Sequence, residues 1–216
     1  MTNWLFPLLA LAVGLGLLLY PTFAYIKVER DSKYSFLNCF PCEMARNVNQ
    51  KGIVICLAML FVMLASEGYA SNFAMVRRTS FYSSMVFEIL SCLGFLGIVI
   101  FGLDHYKTHV IFDVIFFLAE IGGNINTFIG YLINMEEHIA FNYYISIVFG
   151  ILGGILIIIL LLPQLKRWMF LEKSEENGKV VYVRPRVSSL ALTEWIFFLA
   201  HLVNMILLII NAFTSF

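Results

Sequence analysis

Asp104–Asn126, DHYKTHVIFDVIFFLAEIGGNIN, sets His109, Asp113, Glu120 and Asn124 inside a run otherwise apolar enough to cross a membrane. At about 100° per residue on an α-helix, these four side chains fall within a stripe roughly 60° wide. Such a stripe cannot face lipid, because an ionisable side chain at bilayer depth costs at least about 2.5 kcal/mol. It has to turn inward, and the other helices must supply its partners.

The rest of the chain provides those helices. Hydrophobic residues make up 61% of the 216 and charged residues 13%, against roughly 45–50% apolar in a soluble domain. The formal net charge is zero, with no basic arm or acidic tail, which excludes nucleic acid as a partner. Six segments reach the length of about 20 apolar residues that a span needs: about 4–26, 52–73, 82–103, 108–133, 141–163 and 188–213. The expected fold is therefore all-α, a polytopic membrane bundle of six transmembrane helices forming a single domain over residues 1–216. The first segment reads as a retained helix and not a signal peptide, since no basic region precedes it and no small-x-small site follows it.

Several local signals refine this plan. Cys39-Phe40-Pro41-Cys42 is a lone C-x-x-C. Without a second such pair or a βαβ context it reads as a disulfide or as two ordinary thiols, and zinc is not expected there. The third segment carries Ser84, Glu88 and Ser91 on one face, with Glu88 too deep to reach water. The short link 134–138 makes the fourth and fifth segments antiparallel neighbours. The fifth carries Gly150-x-x-x-Gly154, reads as scaffold, and closes at Pro163. Asn177-Gly178 between short β-prone pieces signals a small hairpin or turn at the membrane surface.

The last segment begins after Ser188-Ser189 and holds Glu194, Trp195, His201 and Asn204. Glu194 and His201, seven residues apart, share a face and form a second polar stripe. The fourth and sixth segments start on the same side, so His109, Asp113 and Glu194 are expected near one membrane face. Of the 14 Lys and Arg, all but Arg77 and Arg78 fall in the links after the first, third and fifth segments. The positive-inside rule assigns those links to the cytoplasm and both termini to the other side.

Glu88, the pairing of Asp104 with His109, Asp113 one turn on, and Glu194-Trp195 opening the last segment together resemble the FRAG/DRAM-like group. That group includes post-GPI-attachment remodelling proteins and CWH-type N-terminal domains. The likeness spans the third, fourth and sixth segments, about half the chain, in motifs of one to three residues. It implies a six-span protein of the secretory or endolysosomal system linked to lipid handling, with Glu88, His109 and Glu194 as polar residues inside the bundle. Two features depart from it. The family is drawn with cytosolic termini, and its basic link before the fifth helix is here the acidic Met135-Glu136-Glu137.

The functional expectation is an integral membrane protein of the endoplasmic reticulum or Golgi, or else of the lysosome or plasma membrane, that acts in GPI-anchor lipid remodelling or related lipid metabolism. Glu88, His109, Asp113, Glu120, Asn124, Glu194 and His201 would line its lipid-headgroup site. The alternative is a non-catalytic accessory subunit of a larger membrane complex, so the partners expected are membrane lipids and a membrane protein. A bland reading also stands, above all for Glu120 and His201: buried groups that simply hydrogen-bond and fix helix register. No H-E-x-x-H or G-x-S-x-G occurs, so the sequence leans away from an enzyme. The raw material for a metal hydrolase would be His105, His109, Asp113 and His201, and neither metal nor cofactor is expected. A channel would need two similar halves, and none are visible.

Overall fold

The computed structural model of the protein describes residues 80–102, 105–133, 140–162, 172–176, 179–183 and 185–214, with Leu8, Ala12, Leu37, Asn38, Phe40 and Glu43. The first two expected spans apart from Leu8 and Ala12, together with Cys39, Cys42, Asp104 and the acidic link 134–139, lie outside the described residues. The elements are helices α1 (Ser80–Phe101), α2 (Tyr106–Ile133) and α3 (Ala140–Leu161), strands β1 (Glu172–Glu176) and β2 (Lys179–Val183), and helix α4 (Ser189–Thr214). Each helix begins and ends within two residues of the segment expected from hydropathy.

The ends follow local chemistry. α1 stops at Gly102, whose φ of 43° lies in the left-handed region that favours glycine. α3 ends at Leu161, two residues before Pro163. Ser188 caps α4: its hydroxyl accepts the Ala191 N–H at 3.4 Å and its carbonyl accepts the Leu192 N–H at 3.0 Å. The expected hairpin is present, with β1 and β2 antiparallel and Glu176 opposite Lys179. Asn177 and Gly178 between them lie outside the described residues.

Glycines set how closely the helices approach. α1 runs antiparallel to α2, so that Gly97 meets Phe112, Gly94 meets Phe116 and Phe87 meets Gly122 in turn. At Gly94 a Cβ would lie 2.6 Å from the Phe116 backbone nitrogen, so any larger residue would push the two helices apart. α3 packs antiparallel on α2, Gly150 against the Phe128 ring and Gly153 against Asn124 and Ile125. Of the Gly150-x-x-x-Gly154 pair only Gly150 makes such a contact, because Gly154 has turned to open space and Gly153 lies at the seam instead. α4 runs parallel to α2: His109 pairs with Glu194, Phe117 with Phe197 and Glu120 with His201.

The core is largely aromatic and aliphatic, with ionisable groups buried within it, and the outer face of α3 is apolar as well. His109 and Asp113 are completely buried, and Glu120, Asn124, Glu194 and His201 nearly so. On α3 the exposed side chains are Tyr144, Val148, Ile151, Ile155, Ile158, Leu161 and Leu162, one continuous apolar face at helical spacing. A surface helix of a water-soluble protein carries polar residues on that face. Among the described residues, two helices are long and apolar enough to cross a membrane, Tyr106–Gly130 within α2 and Tyr144–Leu161 within α3.

Candidate functional site

The α2 stripe meets its partners at two levels. The upper level lies near the starts of α2 and α4. His109 is three residues into α2, about 4.5 Å along the axis, and Asp113 about 10 Å. Because α4 runs the same way, Glu194 arrives at matching depth. His109 Nε2 lies 3.1 Å from Glu194 Oε1 and 3.7 Å from Asp113 Oδ2. One ligand atom from each of the three falls within 4.8 Å of the other two.

This trio is not internally satisfied. Among the described residues, His109 Nδ1, both oxygens of Asp113 and Glu194 Oε2 are buried without a hydrogen-bond partner. Such atoms are rare in folded proteins, and a carboxylate left this way is costly.

A loop segment covers the trio. Phe40 is buried and sets its ring edge-on to His109, with centroids 5.9 Å apart at 77°. Its own N–H donates to Glu43 Oε2 at 2.9 Å, and its carbonyl accepts the Glu43 N–H at 3.1 Å. The Leu37 carbonyl accepts the Ser188 N–H at 2.7 Å, which ties this segment to the start of α4. Neither Phe40 nor Glu43 carried a sequence signal, since a loop residue that reaches a site about 70 positions away leaves no periodic trace.

The lower level sits about 16 Å further along α2. Here Glu120 is a hub. Its Oε1 accepts the Ser91 hydroxyl from α1 at 2.5 Å and lies 2.7 Å from His201 Nδ1 of α4. Its Oε2 accepts the Asn204 amide at 3.4 Å. Asn124 donates back to the Glu120 carbonyl at 2.8 Å. Three helices are thereby joined through one carboxylate.

Aromatic rings fill the space between the levels. Phe117 and Phe197 have centroids 4.4 Å apart, Phe95 stacks on Phe198 at 5.2 Å, and Phe95 lies 5.5 Å from Phe116. Of the seven residues expected to line one site, His109, Asp113 and Glu194 thus form the upper cluster. Glu120, Asn124 and His201 form the lower one. Glu88 lies on α1, but its side chain is outside the described residues. The ligand set drawn from sequence also changes. His105 precedes the α-helical turns of α2, is exposed and rests against Phe101 at 6.5 Å, so its four-residue spacing from His109 is not a helical one. His201 is engaged with Glu120, and the third member beside His109 and Asp113 is Glu194.

No family model, curated protein or solved structure matches this chain. What defines the protein's class is therefore its fold and interior: a helical bundle that includes two helices long and apolar enough to cross a membrane and has ionisable groups gathered at its core.

Proposed function

We propose that this is a six-span integral membrane protein that handles lipids, and that the His109, Asp113 and Glu194 trio engages the lipid headgroup. The observation that carries the reading is the depth of the trio. It lies within about 10 Å of the starts of α2 and α4, where acyl chains give way to headgroups, and it holds polar atoms that no described residue satisfies. Two carboxylates and an imidazole suit a donor-rich headgroup, with sugar or inositol hydroxyls or an ethanolamine ammonium. They do not suit a bare phosphate, which the carboxylates would repel.

The loop contacts support the six-span arrangement. Leu37, from the link after the first segment, is bonded to Ser188, from the link before the last. Phe40 from that same loop covers His109 near the start of α2. Alternating spans bring these three links to one face, and they are the links that hold the basic residues.

GPI-anchor lipid remodelling in the endoplasmic reticulum or Golgi is the specific process within this reading. It needs the trio at the lumenal leaflet, whereas the basic links favour the cytosolic one. Impermeant thiol labelling of Lys107→Cys decides between them, and cytosolic labelling would remove the GPI version. The lipid reading itself is tested in cells lacking the protein, where His109→Ala or Glu194→Ala should fail to restore the wild-type pattern of GPI-protein surface levels and membrane lipids. Full restoration by both variants would overturn it.

A further inference from the structure

We infer that His109, Asp113 and Glu194 form a binding site for one divalent first-row transition ion, zinc or manganese in type. This inference goes beyond the lipid reading and does not depend on it. Three observations converge.

The first is geometry. At metal–ligand distances of about 2.0–2.2 Å, ligand atoms in a tetrahedral shell lie about 3.4 Å apart. The Nε2 to carboxylate separations here are 3.1 and 3.7 Å, on either side of that value, and all three ligand atoms lie within 4.8 Å of one another, so the carboxylates would draw in around an ion. The second is satisfaction. Asp113 is wholly buried and turns its carboxylate toward His109, yet neither of its oxygens has a hydrogen-bond partner among the described residues. The Glu120 carboxylate of the same helix shows what the fold does when a carboxylate is meant to be closed off, with hydrogen bonds on both oxygens. The third is composition: one imidazole and two carboxylates from two helices, all buried, each offer a ligand atom to one point.

The donor set narrows the ion. Imidazole nitrogen suits zinc, manganese and iron(II), while calcium takes six or more oxygen ligands. Three protein ligands also leave at least one coordination position for a small oxygen donor.

The test is elemental analysis of the full-length chain, purified in mild detergent without metal-affinity chromatography. About one zinc or manganese per chain is expected, either as isolated or after equilibration with low micromolar metal and dialysis. Asp113→Asn and Glu194→Gln, both close to isosteric, should each lower that content at least about tenfold. Glu120→Gln should retain it, since Glu120 belongs to the other cluster. A wild-type chain that neither carries nor takes up either ion overturns the inference. So does an ion that survives both Asp113→Asn and Glu194→Gln, or one lost from a monodisperse Glu120→Gln protein. The wild-type measurement decides by itself even where a variant does not fold. It involves no lipid, so its failure is separate from failure of the lipid reading.

Discussion

The two polar clusters of this bundle each join α2 to α4 through a histidine and a carboxylate, and Asp113 of one and Glu120 of the other are treated in opposite ways. Around Glu120 both oxygens are occupied, by Ser91 and His201 on one and Asn204 on the other. Around Asp113 both oxygens are left without hydrogen bonds among the described residues. A buried carboxylate with filled lone pairs holds helices in register, and removing it leaves its donors stranded. A buried carboxylate with empty ones contributes little to the fold and is available to something else. The difference lies in the carboxylates alone, since Asn124 Oδ1 and Asn204 Oδ1 of the Glu120 cluster are also buried without hydrogen bonds among the described residues, and it is the ground on which binding is proposed for the trio and a structural role for Glu120.

Four measurements can break or sharpen that division, all by reversible unfolding in detergent with chelator present. Glu120→Ala should have the largest effect, a loss of about 3 kcal/mol, because three donors lose their acceptor at once. Replacing both partners, Glu120→Met with His201→Leu, should recover much of that loss, for a coupling of about 2 kcal/mol. Strictly additive effects would show that the pair is not a unit. Ser91→Ala should cost about 1 kcal/mol, the value of one hydrogen bond to a charged acceptor in a membrane setting. Asp113→Asn should be neutral or stabilising, because it removes a buried carboxylate whose oxygens have no hydrogen bonds among the described residues. If it cost as much as Glu120→Ala, the two clusters would be energetically alike and the division would fail.

The parts of this arrangement that could be read from sequence share one property: they repeat with the helical period. Hydropathy located α1 to α4 within two residues at each end, and the 60° stripe on α2 identified four side chains that are in fact buried. The hairpin announced itself through Asn177-Gly178, and Ser188 through its place before an apolar run. Rotation of a uniformly apolar helix left no such mark. On α3 nothing in the sequence distinguished Gly153, which meets Asn124, from Gly154, which meets nothing. Depth could be estimated, but the sorting of six polar residues into two levels depended on where Phe116, Phe117, Phe197 and Phe198 pack. These residues look like any other hydrophobic positions in the sequence. Phe40 belongs to the same class of facts, being placed by the fold of a loop and not by a pattern.

The phenylalanine layer has a consequence for how the two clusters answer to change. Phe95 stacks on Phe198 and Phe117 lies against Phe197 between them, while the histidine of each cluster pairs with its own carboxylate, His109 with Glu194 and His201 with Glu120. A side chain altered at one level therefore meets aromatic rings before it meets the other level, and the two can be rebuilt one at a time.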